Sequence, residues 1–190
     1  MTAMFDGRDT IVMFDKLAYE DWLPVRWSPQ ADTVSEVSAA QHLVERNLRV
    51  LQACDALEEH GQTEKSDDES PHSADIMRLD FKLNLLLDLA AQLLAQSQPR
   101  VRPTKVRFNA MGATFQTAET LTPGTHGILE ITLRELVVQP LCLPSEVVAG
   151  ESNEARVRFL WLGETVADHI EKLVFRRHRR KIAGARQQRA

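Results

Sequence analysis

Cysteine is scarce in this chain of 190 residues: Cys54 and Cys142 lie far apart and outside any C-x-x-C spacing. That excludes a disulfide-stapled scaffold and a zinc ribbon, and both residues read as small apolar core positions in a reducing compartment. The six histidines, at 42, 60, 72, 126, 169 and 178, share no ligand spacing with one another or with either cysteine, so no metal site is expected. There is no G-x-S-x-G elbow, Walker-type loop or paired-carboxylate signature, and "GTHG" at 124–127 reads as a turn. Neither catalysis nor a cofactor is expected. No run of 18 uncharged residues exists, which excludes a membrane-spanning helix. The first ten residues, "MTAMFDGRDT", have no apolar core of the kind a secretory leader needs, so a cytoplasmic location is expected.

The chain can hold one ordinary domain, or one domain with a substantial insertion. Its net charge of -4 is unevenly spread. Eight of the 23 basic residues fall between Lys172 and Arg189, leaving 15 against 27 acidic residues before them. The segment "TIVMFDKLAYEDWLPVRW" predicts a strand around Ile11 to Tyr19, then an irregular link past Pro24 to about Asp32. Thr33 and Glu36 have the spacing of a capping box, and Ala40, Leu43, Val44, Val50, Leu51, Cys54 and Leu57 recur at helical spacing, predicting a helix over 35–59. "HGQTEKSDDESPH", 60–72, holds no large apolar residue and reads as a linker. A second helix is predicted over 73–96, stopped by Pro99 and Pro103. Beyond it the period changes to alternation in "TKVRFNAMGATFQT", "HGILEITLRELVV", "QPLCLPSEVV" and "EARVRFLWL", short strands of a barrel or sandwich. "GETVADHIEKLVFRRHRRKIAGA" closes as a helix with acids at its start and arginines at its end, as the helix dipole favours.

The second helix carries "DFKLNLLLDLAAQLLAQ", 80–96. Asp80, Lys82 and Asp88 rule out a span, which leaves a core helix or a surface for other chains. With Ile76 at heptad position a, Leu79, Leu83, Leu86, Ala90 and Leu93 fall at d, a, d, a and d. Leu87 and Leu94 at e, Leu89 at g and Leu85 at c widen the stripe beyond a two-stranded seam. Leaving such side chains in water forgoes roughly 1.5–3 kcal/mol each. Self-association into more than a dimer, with a tetramer favoured, is therefore expected, through Ile76, Leu79, Leu83, Leu86, Leu87, Ala90, Leu93 and Leu94.

"TKVRFNAMGATFQT", the antiparallel strands after it and the terminal "EKLVFRRHRRKI" helix together resemble the PilZ domain family, small β-barrels that act as receptors for cyclic di-GMP. The interrupting leucine-heptad helices are similar to the atypical, tetramer-forming PilZ branch of xanthomonads. The resemblance implies an α+β fold: a six-stranded antiparallel β-barrel from 1–32 and 98–190 with a C-terminal helix, interrupted by a two-helix coiled-coil insertion over 33–97. Receptors of this family grip the dinucleotide with an R-x-x-x-R segment and a D-x-S-x-x-G turn. Here the second motif aligns as "RFNAMG", placing Arg107 where Asp belongs and Asn109 where Ser belongs while keeping Gly112. Arg107 replaces an acceptor for guanine by a donor. Arg8, Lys16 and Arg26 do not have the first motif's spacing; Arg176 and Arg180 do, but they fall on the final helix. The resemblance thus implies a degenerate, non-enzymatic domain of cyclic di-GMP signalling, with weak or absent dinucleotide binding, working through a protein partner. Two alternatives stay open: a true cyclic di-GMP receptor with a non-standard site, and an oligomer that binds nucleic acid through "RRHRRKIAGARQQR". No aromatic is interleaved in that tail for base stacking, so nucleic acid is not the expected partner.

Overall fold

The computed structural model describes residues 17–30, 37–60, twelve positions between 75 and 93, 101–134, 137, 139–151 and 153–187. Six strands, β1 (Tyr19–Pro29), β2 (Pro103–Phe108), β3 (Gly112–Gln116), β4 (His126–Ile131), β5 (Leu141–Glu151) and β6 (Glu154–Phe159), form a closed antiparallel barrel in the order β1-β2-β3-β6-β5-β4. Among the described residues two helices pack on it, α1 (Val37–His60) and α2 (Glu164–Gln187), and the described positions between 75 and 93 are helical as well. The α+β architecture and closed six-stranded barrel agree with the expectation from the sequence.

Alternation builds the barrel wall. In β6 Ala155, Val157 and Phe159 point inward and are buried while Arg156 and Arg158 face out. Val106 and Phe108 of β2, Phe115 of β3, Leu129 and Ile131 of β4, and Leu141, Leu143 and Val147 of β5 complete the interior. One apolar face of each helix joins this core: Val50, Leu51 and Cys54 from α1, and Val166, Ile170, Leu173 and Val174 from α2. The buried face of α1 is thus spent on the barrel and α2.

The position of β1 corrects the sequence reading. The link assigned beyond Tyr19 is the strand itself, and the strand assigned to Ile11–Tyr19 lies, up to Lys16, outside the described residues. Pro24 does not break the strand: β1 changes partner there. Tyr19–Pro24 pair with β2, ending on Pro24 opposite Pro103, and Val25–Pro29 pair with β4. A residue without an N–H fits that crossing, where its carbonyl still accepts from Thr132 N at 3.0 Å. α1 begins at Val37 and ends at His60, within two residues of expectation; the capping pair Thr33 and Glu36 and the linker from 61 to 72 lie outside the described residues.

An amide group holds α1 in register. Near Cys142 β5 pairs on one side with β4, whereas its pairing with β6 starts only at Ser145. Asn47 fills the open side like a short strand: its Nδ2 donates to Cys142 O and its Oδ1 accepts from Cys142 N, both at 2.8 Å. Among the described residues no helix is long and apolar enough to cross a membrane.

Candidate functional site

Three regions of this frame carry chemistry. The first is the β2–β3 turn. Asn109 Oδ1 accepts from Met111 N at 2.8 Å and Gly112 N at 3.2 Å, and Asn109 N donates to Gly112 O at 3.1 Å. An asparagine side chain that replaces a backbone acceptor in this way makes the turn. Gly112 opens β3 opposite Arg158 and, unlike Gly124 and Gly163, does not have a positive φ, so the turn is built by Asn109. Asn109 is buried, with its oxygen directed into the loop. Arg107 faces outward on β2, between Glu20 of β1 and Thr114 of β3, with Arg156 beyond Thr114 on β6. A cleft of about 390 Å³ lies between this turn and α2, lined by Asn109, Met111, Glu171, Val174 and Phe175 but not by Arg107. The structure therefore turns the aligned motif residues to different surroundings.

The second region was not foreseen. At the last turn of α1, Glu58 is buried, with its carboxylate 3.1 Å from Arg177 Nε, 3.2 Å from Arg180 Nη1 and 3.7 Å from Arg134 Nη2. Arg176 pairs with Asp55 one turn earlier, and Arg180 Nη2 donates to the Glu58 carbonyl at 3.4 Å, serving a helix-end acceptor. Arg177 also donates to Leu133 O at 3.3 Å and lies over the Tyr19 ring, 5.2 Å from its centroid. The R-x-x-x-R spacing of Arg176 and Arg180 is thus taken up by the α1–α2 contact, together with Arg177. A sign of this was legible: Asp55, Glu58 and Glu59 stand at the C-terminal end of α1, where the helix dipole disfavours anions unless cations lie nearby.

The third region is the leucine-rich segment, whose described positions between 75 and 93 are all helical. Ile76, Leu79, Phe81, Leu83, Leu85, Leu86, Leu89 and Leu93 are all exposed in the single chain, from 49% for Leu89 to 69% for Phe81. Ala90 is exposed too, while Leu87 and Leu94 lie outside the described residues.

The cysteines carry no reactive site. Cys54 and Cys142 are free and buried, and burial pushes the Cys54 thiol up to about 11 and raises that of Cys142 as well. Both are expected to resist iodoacetamide at pH 8 in the folded protein and to react on unfolding, which mass spectrometry of the alkylated chain checks. Because the folded pKa of Cys54 lies above its unfolded value of about 9, its stability contribution is complete below pH 9 and is lost as pH rises through 11. Denaturant midpoints measured from pH 8 to 11, in the wild type and Cys54→Ala, check this; a decline that is identical in both excludes the thiol as its cause. Among the described residues no group of His, Cys, Asp or Glu could hold a metal ion.

A closed six-stranded antiparallel barrel with a C-terminal helix packed into its core has the form of a PilZ-type barrel. Residues 48–187 match the family described as "Atypical PilZ domain, cyclic di-GMP receptor", and the chain belongs to that family. Among solved structures it is similar to a pathogenic protein from Xanthomonas campestris, described as a new tetrameric PilZ domain self-assembled via an unusual helical bundle. The two share 28% identity with a TM-score of 0.73, over 92% of this chain and 95% of that one. No curated protein matches the chain.

Proposed function

We propose that the protein is a non-enzymatic, cytoplasmic component of cyclic di-GMP signalling that self-assembles as a tetramer and acts by contact with a protein partner. The observation that carries this reading is the exposed leucine-rich helix. Eight large apolar side chains at least 49% exposed are more than a single chain can leave in water, and the Xanthomonas relative is described as tetrameric through a helical bundle. In this reading residues 33–97 form an insertion: α1 anchors it to the barrel, and Ile76, Leu79, Leu83, Leu86, Leu87, Ala90, Leu93 and Leu94 join the chains.

The barrel would then be a platform with a weakened nucleotide grip. Arg107 brings a donor where the dinucleotide motif needs an acceptor, and the oxygen of Asn109 is engaged in its own turn. Titration calorimetry with cyclic di-GMP is expected to give no binding tighter than about 100 μM. Micromolar binding that disappears in Arg107→Ala would instead favour a true receptor with a non-standard site, the reading that the family description supports.

A further inference from the structure

The arginines around Glu58 do more than join two helices. They form one wall of an open cavity of about 580 Å³, bounded by Tyr19, Leu133, Arg134, Arg177, Arg180 and Lys181, with Glu58 beneath them. The local charge does not balance. One carboxylate meets three guanidinium groups, and Lys181 Nζ adds a fourth cation, 3.5 Å from the neutral carbonyl of Glu20. Of the other acids on the rim, Glu20 pairs with Lys105 at 3.4 Å, and Asp21 accepts from the Tyr19 hydroxyl and Trp22 N, neither of which neutralises it, so four cations face two carboxylates not paired elsewhere, Glu58 and Asp21.

The hold on Glu58 is also uneven. Its Oε1 receives a hydrogen bond from Arg177, whereas its Oε2 lies 3.2 Å from Arg180 Nη1 without the alignment of one. Arg134 and Arg180 are 33% and 42% exposed and can be reached from solvent, unlike Arg177 at 10%. From the charge excess, the open volume and the carboxylate oxygen left without a hydrogen bond we infer that this cavity binds a small phosphorylated molecule by its phosphoryl group, with Glu58 as the built-in competitor for the same arginines. Guanidinium forks match phosphate oxygens in pairs, and a phosphoryl dianion neutralises more of this cluster than one carboxylate does. The volume lies within the usual range of small-molecule sites, roughly 300–1,000 Å³. The cavity's lining shares no residue with the cleft at the β2–β3 turn.

The test titrates the full-length protein with inorganic phosphate at constant ionic strength, chloride being the exchanged ion, and follows calorimetric heat and thermal shift. The wild type is expected to bind saturably with a dissociation constant on the order of millimolar. Glu58→Gln removes the competing charge and tightens binding at least tenfold. Arg180→Gln, which also gives up an ion pair with Glu58 and is therefore checked by circular dichroism, and Lys181→Gln, whose side chain meets only the Glu20 carbonyl, each weaken it at least fivefold. Binding seen only in Glu58→Gln and lost again on adding Arg180→Gln also supports the site. Absence of saturable binding in both the wild type and Glu58→Gln overturns it, as does an affinity unchanged in Arg180→Gln or a thermal shift that chloride reproduces. Should Glu58→Gln fail to fold, the comparison of wild type with Arg180→Gln decides alone.

Discussion

Leu83→Asp is expected to break the assembly into species of lower mass in sedimentation equilibrium while leaving the circular dichroism of the barrel unchanged. Leu83 is 56% exposed in the single chain and sits at a heptad a position, so its side chain is free to be buried between copies. Burial of one leucine contributes roughly 1.5–3 kcal/mol, and the proposed four-chain bundle would repeat that term four times, for about 6–12 kcal/mol per assembly. The substitution removes this term and places a carboxylate where burial without a partner costs further. The barrel core, built from β-strand residues and one face each of α1 and α2, does not include Leu83, so the effect separates assembly from folding. A wild-type protein that sediments as a monomer at micromolar concentration ends the assembly reading, and so does a Leu83→Asp variant of unchanged mass.

What the sequence disclosed and what it withheld follow the range of the forces involved. The alternation in β6 and the apolar spacing of α1 and α2 are local patterns, and the structure keeps them. The leucine-rich helix was legible for the same reason: a stripe wider than a two-stranded seam is visible in a window of twenty residues. β1 was misplaced because Pro24 has two local meanings, a break or a change of partner, and the pairing that decides between them comes from Pro103 and Ile131. The turn after β2 keeps the motif's glycine, but the asparagine three residues earlier closes it through hydrogen bonds that no spacing displays. The cluster around Glu58 joins residues 119 positions apart, and no periodicity reaches that far; only the acids misplaced against the dipole of α1 pointed to it.

Arg177→Met is expected to destabilise the folded protein by about 3–5 kcal/mol, because removing one partner of a buried ion pair leaves the other charge stranded. The Glu58 side chain is 1% exposed, and Arg177 is its most buried partner. The change also removes the hydrogen bond to Leu133 O and the cation over the Tyr19 ring. Arg134 and Arg180 still face the carboxylate, but from more exposed positions where solvent screens them, so they do not restore the loss. Glu58→Leu alone is also destabilising, since it leaves Arg177 buried without its anion. The double variant Arg177→Met/Glu58→Leu recovers most of the loss: both charges are gone, and an apolar pair of similar volume bridges α1 and α2 at little cost in desolvation. Urea denaturation of the four proteins closes a double-mutant cycle, with a coupling of at least about 2 kcal/mol expected between the two sites. Additive losses with no coupling would mean that Glu58 is held by the other two arginines alone, and that Arg177 stabilises the protein through Tyr19 and Leu133.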